Sequence, residues 1–250
     1  MENIYRIAGK SIRINSIYND VHEMCRDYLS DGNDYDFSVC SSENDIYEEK
    51  KRAEITDLKE IGKVKDYSDG YLEELVIYRK ISEVMPDYDT FLFHSSCLSA
   101  DGEGYAFTAK SGTGKSTHAR LWREILGNRV IMVNDDKPLV RIENGLAIAY
   151  GTPYDGKHHL SNNISVPLKA VSIIQRSKVN HIEKMSKQAA FLKLFPQIYH
   201  PVDKGRLQKT MELLGRLLEC VDVYTLYCNM EVEAAEIAWQ VMKGNDYETE

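Results

Sequence analysis

Apolar and polar residues alternate through residues 4–14 (IYRIAGKSIRI), and the alternation breaks at Gly9-Lys10, which predicts a β-hairpin. Over residues 18–29, Val21, Met24, Cys25 and Leu29 recur at helical spacing, until Asp31-Gly32-Asn33-Asp34 interrupts the chain. Phe37-Ser-Val-Cys40 predicts a short strand. Residues 43–65 are heavily charged with few apolar anchors, and predict an exposed helix or a mobile segment. Residues 71–85 (YLEELVIYRKISEVM) again have helical spacing and end before Pro86.

From Thr90 the texture changes. Residues 91–94 (FLFH) and 104–108 (GYAFT) have the character of strands, joined by the turn-forming Ser99-Ala-Asp-Gly-Glu103. A Gly-rich loop and a helix over residues 115–126 follow, with Gly127-Asn128 as its stop. Residues 130–133, 169–175 and 221–228 predict strands, and residues 139–142 and 146–150 a hairpin across Glu143-Asn144-Gly145. Late helices are expected at residues 186–199, 204–218 and 231–242. Interleaved strands and helices with hairpins predict an α/β core with a mixed sheet (residues 90–250) and a smaller α+β N-terminal lobe (residues 1–89).

Composition narrows the function classes. Hydrophobic residues make up 43% and charged residues 28% of the 250, ordinary values for a chain that buries a core. With 31 Lys+Arg against 39 Asp+Glu the net charge is −8, which argues against nucleic acid or an anionic membrane as the main partner. Any anion must then be held by a local site. No run is long and apolar enough for a transmembrane helix, and the Met1-Glu-Asn start lacks a secretory pattern. Five cysteines without a C-x-x-C pair read as reduced thiols, so a cytoplasmic location is expected. The adjacent His158-His159 would point to opposite faces of a strand, a poor start for a metal site held by side chains alone.

The strongest chemical signal is Ala109-Lys-Ser-Gly-Thr-Gly-Lys-Ser-Thr117, which fits G-x-x-x-x-G-K-[ST] except for Ala109 at the first glycine. Gly112 and Gly114 allow successive backbone N–H groups of Ser111–Thr117 to curl around a phosphate, and the following helix adds its positive N-terminus. Lys115 would reach the terminal phosphates of ATP and the Ser116 hydroxyl would ligate Mg²⁺. Ala109 is tolerable there if its φ is negative. Asp135-Asp136 follows the 130–133 strand, twenty positions after Lys115. Next to a metal and a phosphate, one carboxylate can hold Mg²⁺ while the other accepts a hydroxyl proton; an ordinary acidic turn is the alternative. His94 stands at the end of a predicted strand, fifteen positions before Ala109. Residues 151–163 form a loop shaped by Pro153 and Gly156, in which Lys157, His158 and His159 bring donors suited to a phosphate or carboxylate substrate, or simply to solvent. Arg120 and Arg123 read as surface ion-pair residues on the helix, and Arg176 as a candidate cation for the substrate.

Taken together, His94, the 109–117 loop and Asp135-Asp136 resemble the HPr kinase/phosphorylase group of the phosphoenolpyruvate-carboxykinase-like P-loop fold. The resemblance covers roughly residues 90–175, and residues 151–158 look like a segment of uncharacterised members of that group. It implies Asp135 as the general base, Asp136 with Ser116 on Mg²⁺, and His94 beside the transferring phosphoryl group. The implied activity is an ATP- and Mg²⁺-dependent kinase acting on a hydroxyl of a small molecule, peptide or protein. The rival is a nucleotide-binding regulatory module without turnover. A homo-oligomer stays open.

Overall fold

The computed structural model describes residues 1–156 and 159–244. The chain divides into two compact units, Met1–Val84 and Met85–Glu250.

In the first unit, β1 (Glu2–Ile7) and β2 (Lys10–Asn15) pair antiparallel, and β3 (Phe37–Cys40) adds parallel to β2. The hairpin reverses at Ala8-Gly9, one residue earlier than the sequence suggests. Both residues have positive φ, 47° and 70°, as a two-residue turn matched to strand twist requires. The helix expected over residues 18–29 is shorter: α1 (Asp20–Met24) gives way to a 3₁₀ turn at Arg26–Tyr28. Leu29 bridges Tyr5 of β1, so a continuous helix would pull it off the sheet. The charged stretch is an ordered helix, α2 (Glu43–Glu60), started by a reciprocal capping box between Ser42 and Asp45. Against it packs α3 (Asp69–Val84), which buries Leu72, Val76, Ile77 and Ile81.

The second unit is a mixed α/β fold on a curled, nine-stranded mixed sheet. Its axis is the long strand β10 (Ser165–Arg176). The start of β10 runs antiparallel to β9 (Leu146–Tyr150), which continues to β8 (Leu139–Glu143) and β4 (Thr90–Leu92). After a register shift between Leu168 and Ala170, β10 runs parallel to β6 (Glu103–Thr108) and to β12 (Asp222–Cys228). Beyond β6 lie β5 (Ser96–Ala100) and β7 (Val130–Asn134), and β11 (His181–Lys184) edges β12.

The central strands are covered on both faces. Ala106, Val171 and Ile173 face a cluster that includes Leu213, Leu214 and Leu217 of α6 (Lys204–Cys220). Their neighbours Tyr105, Phe107, Ala170 and Ile174 face the other way, toward Trp122 of α4 (Lys115–Leu126) and Trp239 of α7 (Val232–Met242). The helix expected over residues 186–199 is α5 (Lys187–Leu194) ending in a 3₁₀ turn, Phe195–Gln197, where Pro196 sits. All five cysteines are free, and no helix among the described residues is long and apolar enough to cross a membrane.

Candidate functional site

The Gly-rich segment leaves the end of β6 and turns directly into α4. Gly112 and Gly114 have φ of 72° and 131°, backbone conformations that a Cβ would strain. Ala109, buried against the core, is not among the residues with positive φ, so alanine costs nothing at that position. Lys115 begins the helix, and its side chain lies largely buried beneath the loop.

A cavity of about 470 Å³ opens over the loop and gathers His94, Lys115, Ser116, Asp135, Asp136 and Gly156, with Ser111–Gly114 and Thr117 along its floor. His94 does not end a strand. It sits in the link between β4 and β5, where its own N–H donates to Gln197 O at 2.7 Å and its carbonyl accepts from Thr108 Oγ1 at 2.8 Å. Thr108 Oγ1 also lies 3.2 Å from Gln197 Oε1, so two distant segments fix this one histidine.

His94 Nε2 lies 2.8 Å from Lys115 Nζ and 3.2 Å from Asp136 Oδ1. One ring nitrogen cannot serve both. With its lone pair free it accepts from the lysine; protonated, it donates to the carboxylate. Burial alone would raise the pKa of Asp136, but the His94 hydrogen bond and the charges of Lys137, His94 and Lys115 outweigh it and hold the carboxyl below the usual range. Lys115 shows the reverse balance: burial pulls its pKa down against the opposing pull of Asp136 and Asp135. Poorly solvated cations bind anions strongly, so this lysine suits a terminal phosphate.

Asp135 is 4% exposed, and its Oδ1 accepts from Ser96 Oγ at 2.9 Å. Gly156 closes on its other oxygen: a Cβ there would stand 3.2 Å from Oδ2. The shape of the Asp-Asp turn comes from Asn134, fully buried, whose Oδ1 accepts from the N–H groups of Asp136 and Lys137. Its Nδ2 donates to Thr152 and to Tyr154 O, drawing residues 151–156 over the acids. Gly151 makes that approach possible, since a Cβ there would meet Asn162 O at 1.8 Å.

Among the described residues, no group of three or more His, Cys, Asp and Glu could hold a metal. The oxygens of Ser116 and Asp136 suit Mg²⁺ only as partial ligands completed by phosphate and water, the usual arrangement for that ion.

The loop, Lys115, Ser116, both acids and His94 are therefore brought together. Arg176 is placed elsewhere: its Nε donates to Thr113 O at 3.2 Å and its Nη2 to Gly112 O, bracing the loop from the side away from the acids. His159 pairs with Asp155 at 3.1 Å. Lys157 and His158, also expected near the substrate, lie outside the described residues. Ser96, Thr108, Asn134 and Gln197 carry no motif. Ser96, two positions beyond His94, Thr108, next to Ala109, and Asn134, beside the acids, are near an expected site residue in sequence, whereas Gln197 is not.

No protein-family model matches the chain. No curated protein matches it either. Among solved structures it is similar to an HPr(Ser) kinase/phosphatase from Coxiella burnetii, at 12% identity and a TM-score of 0.33, over 61% of this chain and 94% of that one. Similarity of that degree leaves the chemistry of the site to its own residues.

Proposed function

We propose that the chain is an ATP- and Mg²⁺-dependent phosphotransferase acting on a hydroxyl of a small molecule, peptide or protein. The observation that carries this reading is the single cavity in which the Gly-rich loop, Lys115, His94 and the two carboxylates converge. Phosphoryl transfer asks a protein for positioning and charge neutralisation more than for covalent chemistry, and for a base at the attacking hydroxyl. In this reading the backbone N–H groups of residues 111–117 and Lys115 bind the phosphates, and Ser116 and Asp136 hold Mg²⁺. The ion, when bound, neutralises charge on the phosphates. Asp135 takes the acceptor's proton, and His94 moves between Lys115 and Asp136 as charge builds beside it.

Asp135 is also the residue that favours the rival, a nucleotide-binding regulatory module without turnover. A carboxylate so buried and bonded to Ser96 could be purely architectural. Nucleotide binding itself is common to both and is tested first. Calorimetry should show Mg·ATP binding that Lys115→Ala weakens by about tenfold or more, as loss of a charge-assisted contact predicts. Equal affinity in the two proteins would sink both readings. A screen of hydroxyl acceptors with labelled ATP then separates kinase from module.

A further inference from the structure

Helix α2 of the first unit keeps carboxylates inside and its larger apolar side chains outside. The face packed on α3 buries Ile46, Glu49 and Asp57, with Ala53 half-buried among them. Both buried acids are bonded: Arg79 and Arg52 hold Glu49, while Asp57 accepts from the Lys65 N–H and from the Tyr67 hydroxyl. On the solvent side stand Tyr47, Ile55, Leu58 and Ile61, the last just past the helix end, each 46% to 57% exposed. Single exposed apolar residues are ordinary on a protein surface. Four on one side of an 18-residue helix, whose inner face buries Ile46 alone among large hydrophobics, are not.

Charge on that outer side selects its occupant. Tyr47, Lys51, Glu54, Leu58 and Ile61 follow one another at steps of four, three, four and three, the seam of a two-helix coil. Laid parallel on the same helix of a second copy, the seam would set lysine on lysine and glutamate on glutamate at its middle. Turned antiparallel about the midpoint between Arg52 and Ala53, it sets Lys51 against the second copy's Glu54, and Tyr47 against its Leu58. A two-fold axis makes every contact occur twice, so the seam is complementary to itself in that orientation. Glu54 makes no ion pair among the described residues. Lys51 leans on neighbours of its own helix, Glu48 at 2.9 Å and the Tyr47 ring at 4.1 Å, and exposed contacts of that kind are weakly held. With seven Asp and Glu against four Lys and Arg, the helix is a poor fit to an anionic bilayer.

We propose that the outer face of α2 is a docking surface for a second copy of this chain. The two helices pair antiparallel, with reciprocal Lys51–Glu54 contacts at the centre and Tyr47–Leu58 contacts on either side. A helix of 18 residues is about 27 Å long, so the interface is small and the dimer dissociates on dilution. The contact uses no residue of the 109–117 loop or of the acidic pair, and it stands independently of the phosphotransferase reading.

The experiment is sedimentation velocity on the full chain across a concentration series. It compares the wild type, Lys51→Glu, Glu54→Lys and an equimolar mixture of the two variants. Wild type should show a monomer–dimer equilibrium. Each variant alone brings like charges together at the centre, and its dimer should be weaker by about tenfold or more. In the mixture every central contact again joins opposite charges, so affinity should return to within about threefold of wild type. Leu58→Asp, which removes the flanking apolar contact, should sediment as a monomer throughout. Unchanged helix content by circular dichroism reports that each variant is folded. A wild type that stays monomeric at every concentration would overturn the proposal and leave the face to some other occupant. A dimer that both single variants leave intact would also overturn it, as would a mixture no tighter than either variant alone.

Discussion

In the first unit, Glu73 is fully buried, and its two oxygens accept from the N–H groups of Ile17 and Tyr18 and from Ser41 Oγ. Nearby, Glu49 is buried with Arg79 clasping both of its oxygens and Arg52 adding a third contact. In the second unit, Asp135 has the Ser96 hydroxyl on one oxygen, and Asp136 beside it shares the His94 ring nitrogen with Lys115. The first arrangement satisfies each charge with three hydrogen-bond donors. The second gives each carboxylate one hydrogen-bond donor and shares a single imidazole between opposite demands. Buried charge that is fully bonded is architecture; buried charge left short is capacity for a ligand.

The sharpest way to break that contrast is Asp135→Asn. It keeps the side chain's size and the oxygen facing Ser96 but cannot accept a proton. If Asp135 is the base, single-turnover phosphoryl transfer should fall by about 10²–10⁴-fold while Mg·ATP still binds. Normal turnover in the variant would move Asp135 to the architectural side, with Glu73. Asp136→Asn should lose transfer by another route, through weak Mg²⁺ retention, and raised metal should partly rescue it. Identical metal dependence in the two variants would refute the division of labour.

The mirror experiment is Glu73→Gln. An amide must turn one N–H toward donors that the carboxylate accepted from, so the first unit should lose about 3 kcal/mol on denaturant unfolding. Mg·ATP affinity should be unchanged. A loss within error would mean that those hydrogen bonds do not hold the α3 segment in place.

How much of this was legible in the sequence depended on the range of the interactions involved. Elements whose signal is local matched their expectation closely: α4 with its glycines at both ends, and the β8–β9 hairpin across Asn144-Gly145. By contrast, β5 reads Ser-Cys-Leu-Ser-Ala and is buried at every position, so it has no alternation to detect. The short β11 and the first half of β10 owe their strand state to partners far along the chain. The site divides the same way. The loop, Lys115 and the acidic pair follow from a compact motif, and His94 from the resemblance. Gln197, 89 positions from Thr108, could be found only once the fold had closed.

A subtler test of the contrast uses acid. The Asp136 carboxyl is held below its ordinary pKa in the folded chain, so it favours folding when ionised. That contribution is fully present above the unfolded value of about 3.9 and is lost as pH falls through the lower folded value. Asp136→Asn should therefore reduce unfolding free energy by a constant amount above about pH 5. Below about pH 4 the difference from wild type should shrink. A difference that grows toward low pH would mean that Asp136 is destabilised by burial rather than held by its cations.

The smallest expected effect concerns Arg120, a cation one turn beyond the loop that the sequence reads as a surface ion-pair residue. Its Nη1 pairs with Glu124 at 3.1 Å, four residues on along the exposed face of α4, and both side chains are more than half exposed. An exposed i,i+4 pair contributes about 0.3–0.5 kcal/mol, screened by salt. Arg120→Ala should therefore shift the unfolding midpoint barely, and less so in high salt, while Mg·ATP affinity stays within twofold, about 0.4 kcal/mol. The discriminating quantity is the salt dependence of ATP binding. An arginine that touches the phosphates would make its removal flatten that dependence, whereas one engaged with Glu124 leaves the slope as it was. A flattened slope would extend the anion site along the helix face and blur the line between ion pairs that are structure and charges that wait for a ligand.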